Sequence, residues 1–157
     1  MGRYLICITG ASGAMYGART MQALVEAGHE VHAIWSAWGE RLFMEETGTP
    51  VNAWLAAYAD INPAGDGPDA SKQTIIRHDA ENLAAPPSSG SWQLSGTIIV
   101  PASMSTVGAV ASGATTNLIH RAAAVALKER RPLVIVPREA PLSLIDLRNL
   151  TTLAEAG

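Results

Sequence analysis

The stretch from Arg3 to Gly17 constrains the fold more than any other part of the chain. An apolar run, Tyr4 to Ile8, leads into Thr9-Gly10-Ala11-Ser12-Gly13 and then into Ala14, Met15, Tyr16, Gly17 and a long helical pattern. That order predicts a strand, a glycine-bearing turn and a helix start. Such a turn aims free backbone N–H groups and the positive end of a helix dipole at whatever sits above the strand, which suits an anion. Glycines at 10, 13 and 17, with Ser12 in the slot of the second glycine, do not fit the G-x-G-x-x-G dinucleotide register. The turn therefore reads as a phosphate or flavin cradle before an NAD site; the alternative is a plain tight connection that needs glycine only for its backbone angles.

Downstream, the helical pattern from Ala14 to Ala27 closes at Gly28, and Glu30 to Trp35 reads as a second strand, parallel to the first and ending in Ser36. An NAD-binding fold would place an acidic residue there for the ribose, so Ser36 favours a mononucleotide whose phosphate accepts a hydroxyl hydrogen bond. A second helix is expected over Ala37 to Thr47, closed by Gly48, with Glu46 late in it and able to reach a cleft on its rim. Asn52 to Tyr58 reads as a further helical segment, Asp60 to Ser71 as a loop and Thr74 to Arg77 as a short strand. Asp79 to Trp92 reads as irregular backbone in which Ser89 and Gly90 offer a second phosphate-holding place, with a solvated connection as the alternative.

Ser95 to Val100 is the clearest buried strand and runs into Ser103, Met104, Ser105 and Thr106, more hydroxyls than one helix cap requires. Helices are expected over Val107 to Ala111, Asn117 to Arg131 and Leu142 to Ala156, with a strand over Pro132 to Val136 that ends in Pro137, Arg138 and Glu139. Arg121 and Lys128 share one side of the second of these helices, facing a ligand or a neighbouring subunit.

The 157 residues fit one α/β domain built as a three-layer doubly wound parallel sheet. In such sheets ligands bind at the carboxyl ends of the strands, so Gly10 to Gly13, Ser36, Ser103 to Thr106, Arg138 and Glu139 should converge. Glycine N–H groups, hydroxyls and an arginine together suit a phosphorylated ligand. A net charge of −3 leaves no basic footprint for nucleic acid, and no apolar run approaches the roughly 20 residues of a membrane span. The four histidines lack partners at zinc spacing, and the lone Cys7 reads as a buried thiol. With one phenylalanine and many alanines, small side chains must do much of the packing, which leaves apolar surface for other subunits. Met1 followed at once by the first strand leaves no room for a signal peptide, so a cytoplasmic protein is expected.

With these segments in place, the chain resembles the flavin prenyltransferases of the UbiX type. The matching motifs are Gly-Ala-Ser-Gly-Ala-Met-Tyr-Gly (10–17), Ser36, Glu46-Thr47, Ser-Ser-Gly-Ser (88–91), Pro-Ala-Ser-Met-Ser-Thr (101–106), Asn-Leu-Ile-His-Arg-Ala-Ala (117–123), Leu-Lys-Glu-Arg-Arg-Pro-Leu-Val (127–134) and Pro-Arg-Glu-Ala-Pro-Leu (137–142). The resemblance implies a Rossmann-like, flavodoxin-like subunit in a homo-dodecamer with FMN held between subunits. It implies transfer of a dimethylallyl group from dimethylallyl phosphate to reduced FMN, without a metal, to make the prenylated flavin that a partner decarboxylase uses. Carried over, Gly10, Ala11, Ser12, Ser36, Ser103, Met104, Ser105, Thr106 and Arg138 would hold FMN. Ser89, Gly90, Arg121, Lys128 and Glu139 would handle the prenyl phosphate, and Glu46 with Ser12 would move protons.

Ala102, Ala124 and Asp146 stand where the family commonly has cysteine, aspartate and histidine. The family pattern also continues into a further strand and a final helix, which carry a tyrosine and an arginine for the prenyl phosphate; the fold expected here lacks that strand and helix. Two other readings compete: a flavin-dependent cysteine decarboxylase of the same fold, and a non-catalytic FMN-binding or scaffold protein.

Overall fold

Strand β1 (Arg3–Ile8) lies at the centre of the sheet in the computed structural model of the chain, which describes residues 1–61 and 75–157. The other strands are β2 (Glu30–Trp35), β3 (Ile75–Asp79), β4 (Gly96–Ala102) and β5 (Leu133–Pro137). Their order is β3-β2-β1-β4-β5 and every pairing is parallel. The helices are α1 (Ala14–Glu26), α2 (Ala37–Thr47), α3 (Val51–Ile61), α4 (Met104–Ala111), α5 (Leu118–Lys128) and α6 (Leu144–Ala156). Among the described residues no helix is long and apolar enough to cross a membrane.

Period-two alternation along β1 sorts the core into two layers. Leu5 and Cys7 face Val107 and Val110 of α4 and Leu118, Ile119 and Ala122 of α5, whereas Ile6 and Ile8 face Ala14, Ala18 and Met21 of α1. Helices thus cover both faces of the sheet, which is why β1 reads as an unbroken apolar run. Alanines let α1 and α5 lie close to the strands, as the composition implied. The large aromatics gather elsewhere: Trp35, Phe43, Trp54 and Tyr58 form a ladder with centroid spacings of 6.1, 5.5 and 5.8 Å between β2, α2 and α3.

Several boundaries differ from expectation. The short strand expected from Thr74 runs instead from Ile75 to Asp79 and is a full member of the sheet, paired with β2 along its length. α4 begins at Met104, three residues early, because Ser103 accepts from Thr106 N and caps it. α6 begins two residues late, at a capping box in which Asp146 accepts from the Ser143 backbone at 2.8 Å and from its hydroxyl at 2.7 Å. That box accounts for an aspartate at this position. Of the leucines spaced three apart on α6, Leu150 and Leu153 pack on the core, but Leu144 and Leu147 stay exposed with Ile145. α3 runs on to Ile61; the remainder of the loop expected up to Ser71 lies outside the described residues.

A polar network crosses β1, β2 and β3 on the α5 side. His32 Nε2 lies 2.8 Å from Glu30 Oε1 and its Nδ1 2.8 Å from His78 Nε2, while Arg3 Nε donates to the same Glu30 oxygen at 2.7 Å. Trp92 packs edge-on against His32 and under the Arg3 guanidinium. Burial holds both histidines below their ordinary value, and in His78 the neighbouring His32 adds to the effect. The unfolded chain therefore takes up protons near pH 6.5 that the folded one refuses, so stability falls as pH drops below about 6.5. Urea unfolding across this range checks the slope, and His78→Asn should flatten it.

Candidate functional site

In this strand order the direction of crossover reverses between β1 and β4, which opens a crevice at their carboxyl ends. Two adjoining depressions occupy it and share Gly10 and Ser103. The first, about 200 Å³, is lined by Ala11, Ser12, Leu42, Met104, Arg138 and Glu139 besides the shared pair. The second, about 210 Å³, adds Ser36, Trp38, Ser105, Thr106, Asn117 and His120. Residues 129 positions apart in sequence, Gly10 and Glu139, thus meet in one cleft, as the strand ends predicted. Gly10 admits the α2 start: a Cβ there would stand 2.7 Å from the Cβ of Trp38.

A buried hydroxyl that the sequence reading passed over joins the two sides. Thr9 is 1% exposed; its Oγ1 donates to the Pro101 carbonyl at 3.0 Å and accepts from Ser103 N at 2.7 Å. This latch sets the height of Gly10 against Ser103. Its signal was a single hydroxyl residue at the end of an otherwise apolar strand. On the far side, Arg138 N donates to Ala102 O at 3.1 Å, carrying Arg138 and Glu139 to the cleft.

The hydroxyls have structural partners. Ser36 caps α2 by accepting from Gly39 N, Ser103 caps α4, and Asn117 caps α5 by accepting from His120 N. Ser103 Oγ also lies 3.0 Å from Ser105 Oγ and 3.1 Å from Thr106 Oγ1. The second depression therefore collects three helix N-termini and a hydroxyl cluster, and among the described residues no acidic side chain lines it.

The α1 N-terminus is different. Glu46 accepts from Gly13 N at 3.0 and 3.1 Å and from Ala14 N at 2.8 Å, so the end of the first turn already holds a carboxylate from the chain itself. Gly13 takes φ 109 to present these groups. The structure thus brings Glu46 to the turn that carries Ser12, the pairing that the resemblance implies, and the Gly13 and Ala14 N–H groups are satisfied within the chain.

The remaining residues form a separate group along α5. Arg121 Nε donates to Ser88 O at 3.0 Å, and Arg131 binds the Gly90 and Trp92 carbonyls. These bonds seat the Ser89–Gly90 segment beside Lys128, which pairs with Glu129 at 3.0 Å. None of Ser89, Gly90, Arg121 and Lys128 lines either depression. Lys128 stands ten residues along α5 from Leu118, about 15 Å from the end that borders the cleft.

The flavoprotein family model matches residues 2–157. The flavin prenyltransferase UbiX of Halalkalibacterium halodurans is 41% identical over 156 residues, covering 99% of this chain and 73% of that one. A crystal structure of AnUbiX (PadA1) in complex with FMN and dimethylallyl pyrophosphate superposes with a TM-score of 0.85 at 38% identity, over 99% of this chain and 74% of that one. The dodecameric FMN-dependent UbiX-like decarboxylase of Escherichia coli O157:H7 gives a TM-score of 0.83 at 35% identity, over 99% and 76% of the two chains. The fold and most of the sequence are thus those of a known group, and the chain belongs to the flavoprotein family, among the flavin prenyltransferases of the UbiX type.

Proposed function

We propose that the chain, acting as one flavin-binding domain over residues 1–157, transfers a dimethylallyl group from dimethylallyl phosphate to reduced FMN and yields a prenylated flavin for a partner decarboxylase. The observation that carries this reading is the division of the cleft. Among the described residues, one depression offers hydroxyls and helix N-termini without a carboxylate, which suits the FMN phosphate. The other sets apolar Ala11, Leu42 and Met104 beside Ser12, Arg138 and Glu139, which suits an aromatic ring system with a reacting edge.

Reduced FMN, when bound, supplies the electron-rich ring that accepts the prenyl group. The chain's own residues do the rest. The allylic carbon–oxygen bond breaks with its electron pair on phosphate, Arg121 and Lys128 stabilise the charge that develops there without a metal, and Arg138 holds FMN. Glu46 and Ser12 hold or move a proton at the ring edge, and Glu139 orients the donor. Ser89, Gly90, Arg121 and Lys128 complete the donor site from a neighbouring subunit. That none of them lines the cleft within one subunit supports this, as do the exposed Leu144, Ile145 and Leu147 and the dodecamer of the E. coli relative. We therefore propose a homo-dodecamer with sites between subunits, placed in the cytoplasm, where phosphorylated substrates are retained.

Anaerobic incubation with reduced FMN and dimethylallyl phosphate should give a flavin heavier by the mass of one prenyl unit. FMN that is bound but unchanged in mass would instead support a flavin-holding protein without transfer activity.

A further inference from the structure

We propose that His120 is a ligand of the FMN phosphate and that it takes up a proton when FMN binds, which couples cofactor affinity to pH near neutrality. The proposal rests on the reading of the cleft as an FMN site and goes beyond it in assigning a charge to the phosphate end.

His120 lies in the first turn of α5 and lines the depression with Ser36, Ser105 and Thr106. Its Nδ1 is 2.9 Å from Thr116 Oγ1, which fixes the ring, and among the described residues Nε2 has no hydrogen-bond partner. A phosphate monoester carries nearly two charges at neutral pH. The serine and threonine hydroxyls and the Asn117 amide answer it only with neutral dipoles, and Arg138 lines the other depression. Among the described residues, His120 is the one side chain lining the phosphate end that can become a cation near neutral pH.

The surroundings make that cation dependent on the ligand. From the β2–α2 junction come Ser36 and Trp38; from α4, Ser103, Ser105 and Thr106; from the loop before α5, Thr116 and Asn117. The end of β3, joined to α5 through Leu118 N and Ala80 O, carries Asp79 and Glu81, and Asp79 accepts from Glu81 N. Arg121, next on α5, is bonded to Ser88 O. Among the described residues, no acidic or permanently cationic side chain lines the depression. Burial lowers the imidazole below its ordinary value, and the positive end of its own helix opposes a second positive charge. The ring is therefore neutral in the free protein at neutral pH. A phosphate dianion beside it reverses the balance and favours imidazolium, whose Nε2–H donates to a phosphate oxygen.

The test is calorimetric titration of the full chain with FMN and with riboflavin, which lacks the phosphate, in buffers of different ionisation heat at about pH 6.5 and about pH 8. Expected are proton uptake and tighter binding at the lower pH with FMN, and neither with riboflavin. The phosphate's own ionisation would release protons on binding, the opposite sign, so uptake reports the imidazole. His120→Gln should remove the uptake, weaken FMN about tenfold at the lower pH and leave riboflavin unchanged. Unaltered uptake in His120→Gln, equal losses for FMN and riboflavin, or no uptake by the wild-type protein would overturn the proposal. If His120→Gln fails to fold, the wild-type comparison of FMN with riboflavin still decides. Failure of the wild-type chain to bind either flavin would overturn the flavin reading itself, and this proposal with it.

Discussion

Glu46→Gln should slow prenyl transfer by about 10²-fold or more and leave FMN bound. The geometry separates two jobs of this carboxylate. Its oxygens accept from Gly13 N and Ala14 N, which fills the start of α1 and holds the turn beside Ser12. Glutamine keeps the length of the side chain and one carbonyl oxygen, which in the Oε2 position still accepts from both Gly13 N and Ala14 N, so the turn keeps its shape. What glutamine cannot do is take a proton. Glu46→Ala removes both jobs and should add a stability loss of about 1 kcal/mol, the usual cost of deleting a helix cap. Single-turnover mass analysis of the flavin measures the first effect, and urea unfolding the second. Release of FMN by the glutamine variant would show that Glu46 shapes the cradle and does not move protons.

The cleft was legible where strand ends carry its residues. Gly10, Ser12, Ser36, Ser103 and Arg138 each follow an apolar run, and a doubly wound sheet brings such positions together whatever their separation in sequence. Side chains that come from helices were harder to place. Period alone could not say that Glu46 closes the α1 turn, since that depends on how α2 lies across α1. It could show that Arg121 and Lys128 share a side of α5, but not that the side borders Ser88 and Gly90 in place of the cleft. His120 and Asn117 went unmarked because Asn117 reads equally well as an ordinary cap. β3 was expected to stop at Arg77 because polar His78 and Asp79 follow it; with Arg77 they belong to an edge strand whose polar side chains meet His32 and Glu40. The apolar stripe of α6 misled for the opposite reason: half of it, Leu144 and Leu147 with Ile145 beside them, faces outward.

Gly17→Ala should be among the most destabilising single-methyl changes in the chain. In a helix interior alanine is favoured over glycine by about 1 kcal/mol, so propensity alone predicts a gain. Packing decides the sign the other way. A Cβ on Gly17 would stand 2.5 Å from the carbonyl oxygen of Val100 and 2.7 Å from Ile8 Cδ1. The Ile8 side chain could turn aside, but the Val100 oxygen belongs to the backbone of a central strand, so α1 itself must move. Overpacking of this kind costs roughly 1–3 kcal/mol and occasionally more, and the upper end applies where backbone is the obstacle. A net loss of about 2 kcal/mol should lower the melting temperature by roughly 4–8 °C in a chain of this size. Because α1 crosses the gap between β1 and β4, its displacement also shifts the Gly10–Ser103 spacing, so FMN affinity should fall together with stability. Gly17→Val should extend both losses. A melting temperature unchanged in Gly17→Ala would mean that the helix has room the geometry denies it.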